Sequence, residues 1–415
     1  MGELRNLVNF FSSLFSRAIR GLFMTPYALF HLFGVLFMTT VLPSVPALAR
    51  RQFLQRSIAV SALAAYPSVN FSQTAVEPAE RRFAPQNGAW RTFDITTRVD
   101  IVNPQGVTRV WLPIPSLDSD WQQSLSSTYT SNGSAERGHD SHGAGFLYVA
   151  FAASEAKPFV ELTSRIQTQN RAQDWSHKSI STDSASALKQ WTQATALLPV
   201  DGIVRSTALK AIQGAHTDVE KAQKLFDWII ANTYREPKVR GCGEGDIKTM
   251  LETGNLGGKC ADLNALFVGL CRSVGLPARD VYGLRVAPSA FGYKELGGNS
   301  ANLKGAQHCR AEVYLKGYGW VAMDPADVAK VMRQETAQWI KNPQDRVVAP
   351  VNKALFGGWE GNWMAFNTSH DVVLPHSAGP KLGFLMYPTA ENAGGRLDSY
   401  APDDFKYQIS AKEVI

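Results

Sequence analysis

Cysteine is scarce in this chain: 415 residues contain four, Cys242, Cys260, Cys271 and Cys309. So few cannot staple a protein of this size, and none has the CxxC spacing of a zinc ribbon or dithiol redox motif. Net charge is nearly missing from most of the chain. The formal charge is +6, but residues 1–82 hold eight arginines against three acids, and the remaining residues hold 34 bases against 33 acids. A body so close to neutral lacks the basic surface that binds nucleic acid. There is no internal repeat, P-loop or dinucleotide glycine fingerprint, so no cofactor is expected.

What is present begins with an apolar, arginine-flanked leader. Residues 22–49 are largely apolar, with Arg5, Arg17 and Arg20 before them. Arg50-Arg51-Gln52-Phe53-Leu54-Gln55 and the mildly apolar run Ser57 to Tyr66 follow, the pattern of a twin-arginine export signal. Such signals usually lie near the chain start, so translation from Met38, or an extra membrane segment over 1–49, is an alternative. A Sec-type signal ending at Ala47-Leu48-Ala49 is another. Each reading takes the body out of a bacterial cytoplasm into the periplasm, and membrane contact is expected only through residues 1–49. Pro26, His31, Thr39, Thr40 and Pro43 make that run a poor bilayer-spanning helix.

The sequence divides into a leader and linker (1–82), a β-sandwich-like domain (83–180), a catalytic domain (181–330) and a C-terminal extension packing on the core (331–415). Thr92–Ile101, Val107–Ile114, Phe146–Ala152 and Phe159–Thr168 read as strands, and 116–145 as a long loop with short strands. Thr217-Asp218-Val219-Glu220 is a capping box opening an amphipathic helix. The aromatics of Phe356 to Met364 are expected to pack back on the core.

The chemistry-bearing residues lie between 242 and 324. Cys260 ends Gly257-Gly258-Lys259-Cys260 and opens a helix with Leu263, Leu266, Phe267, Leu270, Cys271 and Val274 on one side. A thiol at a helix N-terminus meets unpaired N–H groups and the positive end of the dipole, both of which favour thiolate. Gly257 and Gly258 leave room for a substrate carbonyl, and the Cys260 N–H is a ready oxyanion donor. His308 opens the alternating strand His308 to Leu315, and Trp320 to Asp324 is the return strand. Alternation puts Asp324 on the His308 face only if the loop has an odd number of residues. A loop centred on Lys316 sets the two opposite each other; one centred on Gly317 sets them on a diagonal of roughly 7–8 Å. Cys309 then points away from the site, toward the core. Cys242, between glycines, either lines the cleft or has a structural or disulfide role, for example with Cys309.

Gly258-Lys259-Cys260-Ala261-Asp262 through Gly275-Leu276-Pro277-Ala278-Arg279, then His308 with Glu312, Gly319-Trp320-Val321 and Asp324-Pro325, resemble the transglutaminase-like superfamily over roughly residues 200–330. The resemblance implies a papain-like α+β core, with a nucleophile helix packed on an antiparallel sheet. It makes Cys260 the nucleophile, His308 the general base and acid, and Asp324 its orienting partner. Bacterial members with a β-domain ahead of the core are similar in layout. Many members carry an aromatic residue two after the histidine; here that residue is Arg310, which suggests an acidic group on the substrate. Gly258, Cys242, Arg310 and Trp320 complete the expected substrate-lining or oxyanion set.

The expected function is therefore an exported enzyme acting on amide or peptide bonds, by hydrolysis or amide transfer through a thioester, with a peptide or protein substrate. Its export partner is the twin-arginine machinery. A non-catalytic periplasmic scaffold is the alternative. A metal site of Cys242, Cys260, His308 and Cys309 is disfavoured by spacing and by strand alternation at 308–309.

Overall fold

The computed structural model describes residues 81–178 and 183–414; the leader, with its twin-arginine motif and apolar run, lies outside the described residues. Six strands come first: β1 Arg91–Asp100, β2 Thr108–Ile114, β3 Gln122–Ser131, β4 Ser134–His139, β5 Gly145–Phe151 and β6 Phe159–Thr168. Alternate residues of β1 are buried, because one face of the pleat meets the core and the other meets water. Phe93, Ile95 and Val99 of β1 join Val110 and Leu112 of β2 and Leu147 and Val149 of β5 in one core. The segment 116–145, expected as a long loop with short strands, carries two full strands. Its Ser- and Thr-rich composition hides them, because β3 and β4 are edge strands with little to bury, and Leu125 and Tyr129 stay exposed.

Of the elements that follow, those that position the site are α1 Asp218–Asn232, α2 Cys260–Ser273, β7 Ala278–Arg285, β8 Gln307–Leu315 and β9 Gly319–Met323. The Thr217 capping box is present, with Glu220 N–H donating to the Thr217 hydroxyl at 3.2 Å and Thr217 N–H donating to the Glu220 carboxylate at 3.0 Å. Every residue of α2 is buried, so it is the central rod of the molecule rather than a half-exposed amphipathic helix. Helix α3, Pro325–Gln334, follows directly on Asp324.

Residues 331–414 are woven through both layers. Strand β10, Trp363–Asn367, completes the antiparallel sheet in the order β9-β8-β7-β10. Strands β11 Thr389–Asn392 and β12 Gly395–Arg396 extend the sandwich sheet β12-β11-β2-β5-β4, and β13 Tyr407–Val414 extends the other, β13-β1-β6-β3. Trp121, Trp359 and Trp363 form an aromatic cluster joining the sandwich to the β9-β8-β7-β10 sheet, with centroids 5.1–5.9 Å apart. The Gln122 amide adds a two-way clamp, donating to Ala365 O at 2.9 Å and accepting from Ala365 N–H at 2.7 Å. The architecture is mixed α+β, a papain-like core with a β-sandwich.

Candidate active site

Leu315 pairs with Gly319, which leaves the three-residue loop centred on Gly317. Gly317 and Gly319 both have positive φ (89° and 72°), so the turn needs residues without a Cβ penalty. The register places Asp324 one step beyond the Ala311–Met323 pair, diagonal to His308. The imidazole spans that diagonal, and His308 Nε2 lies 2.8 Å from Asp324 Oδ2. The other oxygen of Asp324 is fixed twice, accepting from Asn264 Nδ2 at 3.1 Å and from Asp327 N–H at 3.1 Å, the latter as the cap of α3. Asn264 also donates to Cys309 O at 2.8 Å and accepts from Ala326 N–H at 3.2 Å, tying the nucleophile helix to β8 and to the start of α3.

Cys260 begins α2 and is 3% exposed. Asp262, two residues on, accepts from the backbone N–H groups of Lys259, Glu244 and Gly245 at 2.9–3.0 Å. One carboxylate thus clamps both the helix start and the loop 241–245 that carries Cys242. Ala261 N–H donates to Cys242 O at 2.9 Å, a second link between loop and helix.

Electrostatics favour an ion pair. Burial works against the Cys260 thiolate, yet hydrogen bonds from Cys242, Cys309 and His308, and the His308 charge, hold its pKa well below the usual thiol range. Burial and the Arg285 guanidinium press His308 toward neutrality; the Asp327 and Asp324 carboxylates outweigh them and raise it to about 9. Asp327 is held well below the carboxylate range against burial, mainly by Arg285, 2.5 Å away. His308, Arg285 and Arg310 therefore face Asp324, Asp327 and the Cys260 sulfur, and burial pushes the Asp324 carboxyl up against the pull of His308 and Arg310. Because Nε2 engages both carboxylates, at 2.8 and 3.3 Å, Nδ1 is the nitrogen left to serve the sulfur.

Several expected lining residues do other work. Arg310 is 2% exposed, sandwiched over Trp359 and Trp363 at 5.1 and 4.6 Å, with Nε 3.4 Å from Asp324 and Nη1 donating to Glu360 O. It braces the carboxylate from behind and is not presented to an acidic substrate. Trp320 pairs with Tyr314, six residues along β8 from His308 or about 20 Å, and stacks on Arg279 at 4.1 Å. It lies outside the site. On the side a side chain would take, Gly258 and Gly257 are already filled: a Cβ at Gly258 would meet Asp262 Cβ at 2.5 Å, and one at Gly257 would meet the Tyr234 ring. These glycines let the chain's own side chains approach.

Cys309 does not point away from the site as alternation suggests: it is buried in the core, but its sulfur reaches the head of α2. The sulfurs of Cys242, Cys260 and Cys309 lie within 4.8 Å of one another. All four cysteines are free thiols, so the Cys242–Cys309 disulfide is absent. Cys271 is fully buried and burial pushes its thiol up, as expected of an inert core residue. Sequence reasoning missed Asp327, Asn264, Arg285 and Tyr387. Asp324-Pro325-Ala326-Asp327 carried a helix-start signal, and Asn264 interrupts an apolar helix face; Arg285 and Tyr387 carried none. Tyr387 ends a cleft walled by Leu197, Leu382, Phe384 and Tyr400, and its hydroxyl donates to Cys242 Sγ at 3.0 Å.

This geometry defines a papain-like fold with a cysteine at the head of a buried helix and a histidine–carboxylate pair on the adjoining sheet. The family model for the transglutaminase-like superfamily matches residues 205–325. An uncharacterized protein of Haemophilus influenzae is 32% identical over 382 residues, covering 87% of this chain and 100% of that one. Among solved structures, a candidate cysteine protease from Cytophaga hutchinsonii aligns with a TM-score of 0.47 at 14% identity, covering 80% of this chain and 93% of that one. The periplasmic domain of TgpA from Pseudomonas aeruginosa aligns with a TM-score of 0.32 at 15% identity, covering 68% and 100%. The chain belongs to the transglutaminase-like superfamily.

Proposed function

We propose that this protein is a cysteine-nucleophile enzyme that opens amide or peptide bonds through a thioester. The observation that carries the reading is the buried Cys260–His308–Asp324 arrangement, with the thiol lowered and the imidazole raised. Cys260 Sγ attacks the amide carbonyl, and the developing oxyanion is met by the Cys260 N–H at the head of α2. The proton on His308 passes to the leaving amine as the C–N bond breaks, and Asp324 and Asp327 hold the ring in place. The thioester is then resolved by water, activated by the now neutral His308, giving hydrolysis, or by an amine, giving transfer. The aromatic cleft ending at Tyr387 and Cys242 is the approach for a peptide or protein substrate. The leader supports action in the periplasm after twin-arginine export.

The test is to incubate the protein with a library of glutamine- and amide-containing peptides, acid-quench, and search for a Cys260 acyl adduct by intact mass. An adduct that disappears with added amine or on longer incubation, and is absent from Cys260→Ala, supports the reading. No adduct with any peptide, and ordinary thiol reactivity at Cys260, would favour the non-catalytic scaffold. Export is tested by fusing residues 38–80 to a reporter: secretion that survives Arg50→Lys plus Arg51→Lys excludes the twin-arginine route.

A further inference from the structure

A nucleophile and its histidine need one thiol, yet three converge here. Cys242 comes from the glycine loop, Cys260 from the head of α2 and Cys309 from the centre of β8, and they are 4%, 3% and 0% exposed. Their sulfurs all lie within 4.8 Å of one another. A metal ion at the centre of three sulfurs, with bonds of about 2.3 Å, spaces those sulfurs about 4 Å apart. We propose that the three sulfurs form a binding site for a monovalent soft cation, Cu(I), whose occupation caps the nucleophile.

The donor set chooses the ion. Three sulfurs with no oxygen or nitrogen among them select a thiophilic cation over hard divalent ones. Tetrahedral zinc calls for a fourth ligand. Among the described residues no fourth His, Cys, Asp or Glu ligand atom belongs to the cluster. Entry balances in charge: as Cu(I) binds, one thiol of the three loses its proton to solvent, so one positive charge leaves as another enters, the net charge of the buried volume is unchanged, and no electron is transferred. The aromatic cleft ends at Tyr387, whose hydroxyl donates to Cys242 Sγ at 3.0 Å and stands between the cleft and the cluster.

The site depends on the position of the three sulfurs and not on turnover, so it is tested apart from activity. The full chain is titrated anaerobically with Cu(I) against a chromophoric Cu(I) chelator. The expected result is one equivalent held per chain, a first shell of sulfur alone at about 2.3 Å by X-ray absorption, and Cys260 protected from iodoacetamide. Cys242→Ser and Cys309→Ser should each weaken retention by at least ~100-fold, while Cys271→Ser, outside the cluster, should not. The proposal is overturned if the wild-type chain yields its copper to the chelator, if nitrogen or oxygen appears in the first shell, or if zinc competes for the site equally. The wild-type spectrum needs no variant, so a misfolded substitution does not decide the matter. Peptide turnover by metal-free protein reports separately on the thioester chemistry.

Discussion

Removing the carboxylate of Glu312 perturbs the joint between the sandwich and the catalytic sheet. Glu312 is 1% exposed and lies between two arginines, Arg171 Nη1 at 2.5 Å and Arg279 at 2.7 Å. Arg171 follows the last strand of the sandwich and stacks on Trp359 at 4.5 Å; Arg279 belongs to β7. Glu312→Gln keeps the volume and leaves two guanidiniums facing a neutral amide. Breaking a buried ion pair from one side costs about 3–5 kcal/mol. The arginine side chains retain 12% and 17% exposure, so water recovers part of this and the lower end, about 3 kcal/mol, applies. With an unfolding entropy of roughly 2.1 cal/mol/K per residue over roughly 330 residues, Tm should fall by about 4 °C. The pH dependence supplies a second signature. Burial pushes the Glu312 carboxyl up, but Arg279 and Arg171 bring it below its ordinary 4.5. Its contribution is therefore present above pH 4.5 and lost as pH falls through the lowered value, so the two melting curves should converge in acid. Scanning calorimetry from pH 3 to 7 checks this. A Glu312→Gln protein that melts with the wild type at neutral pH, or a gap that persists unchanged in acid, would refute the reasoning.

Other outcomes follow from the same geometry. The kcat/KM profile against pH should have a basic limb near 9, where His308 loses its proton, and an acid limb below the ordinary thiol range; Asp324→Asn should move the basic limb down, because one of the two carboxylates that raise His308 is gone. Gly243→Ala should destabilise by about 1–3 kcal/mol, since φ is +89° and the new Cβ would sit on the Asp262 carboxylate; urea unfolding would show it, together with slower acylation at Cys260. Trp320→Ala should lower Tm through lost stacking on Arg279 while leaving kcat/KM unchanged, and a large loss of turnover would return Trp320 to the site.

The candidate site positions were legible in the sequence because each stands at an element boundary with strong local signals: glycines before Cys260, alternation after His308, proline after Asp324. Period-two alternation even limited the hairpin loop to odd lengths, and the structure chose the one centred on Gly317. What stayed hidden depends on long-range contact. Asp327 lies on the next element and reaches His308 only because α3 starts at Asp324. Arg310 sits on the face alternation assigns it, yet Trp359 and Trp363, fifty residues on, enclose it. Glycines 257 and 258 read as openings, but neighbouring side chains fill the space. Alternation puts Cys309 opposite His308 and away from the site, yet α2 packs on that face and brings the Cys309 sulfur within 4.8 Å of Cys260. The strands of the C-terminal segment are short and complete sheets begun elsewhere, so no local pattern announces them.

The central claim is that Cys260 is a thiolate paired with a protonated His308, and the rate of its alkylation by iodoacetamide against pH measures that directly. Peptide mass mapping separates Cys260 from the other three cysteines. The account predicts alkylation that persists well below the free-thiol pKa of about 8.5, with the profile moving up into the ordinary thiol range in His308→Gln. A Cys260 that alkylates only at or above that range, with a profile indifferent to His308→Gln, would contradict it.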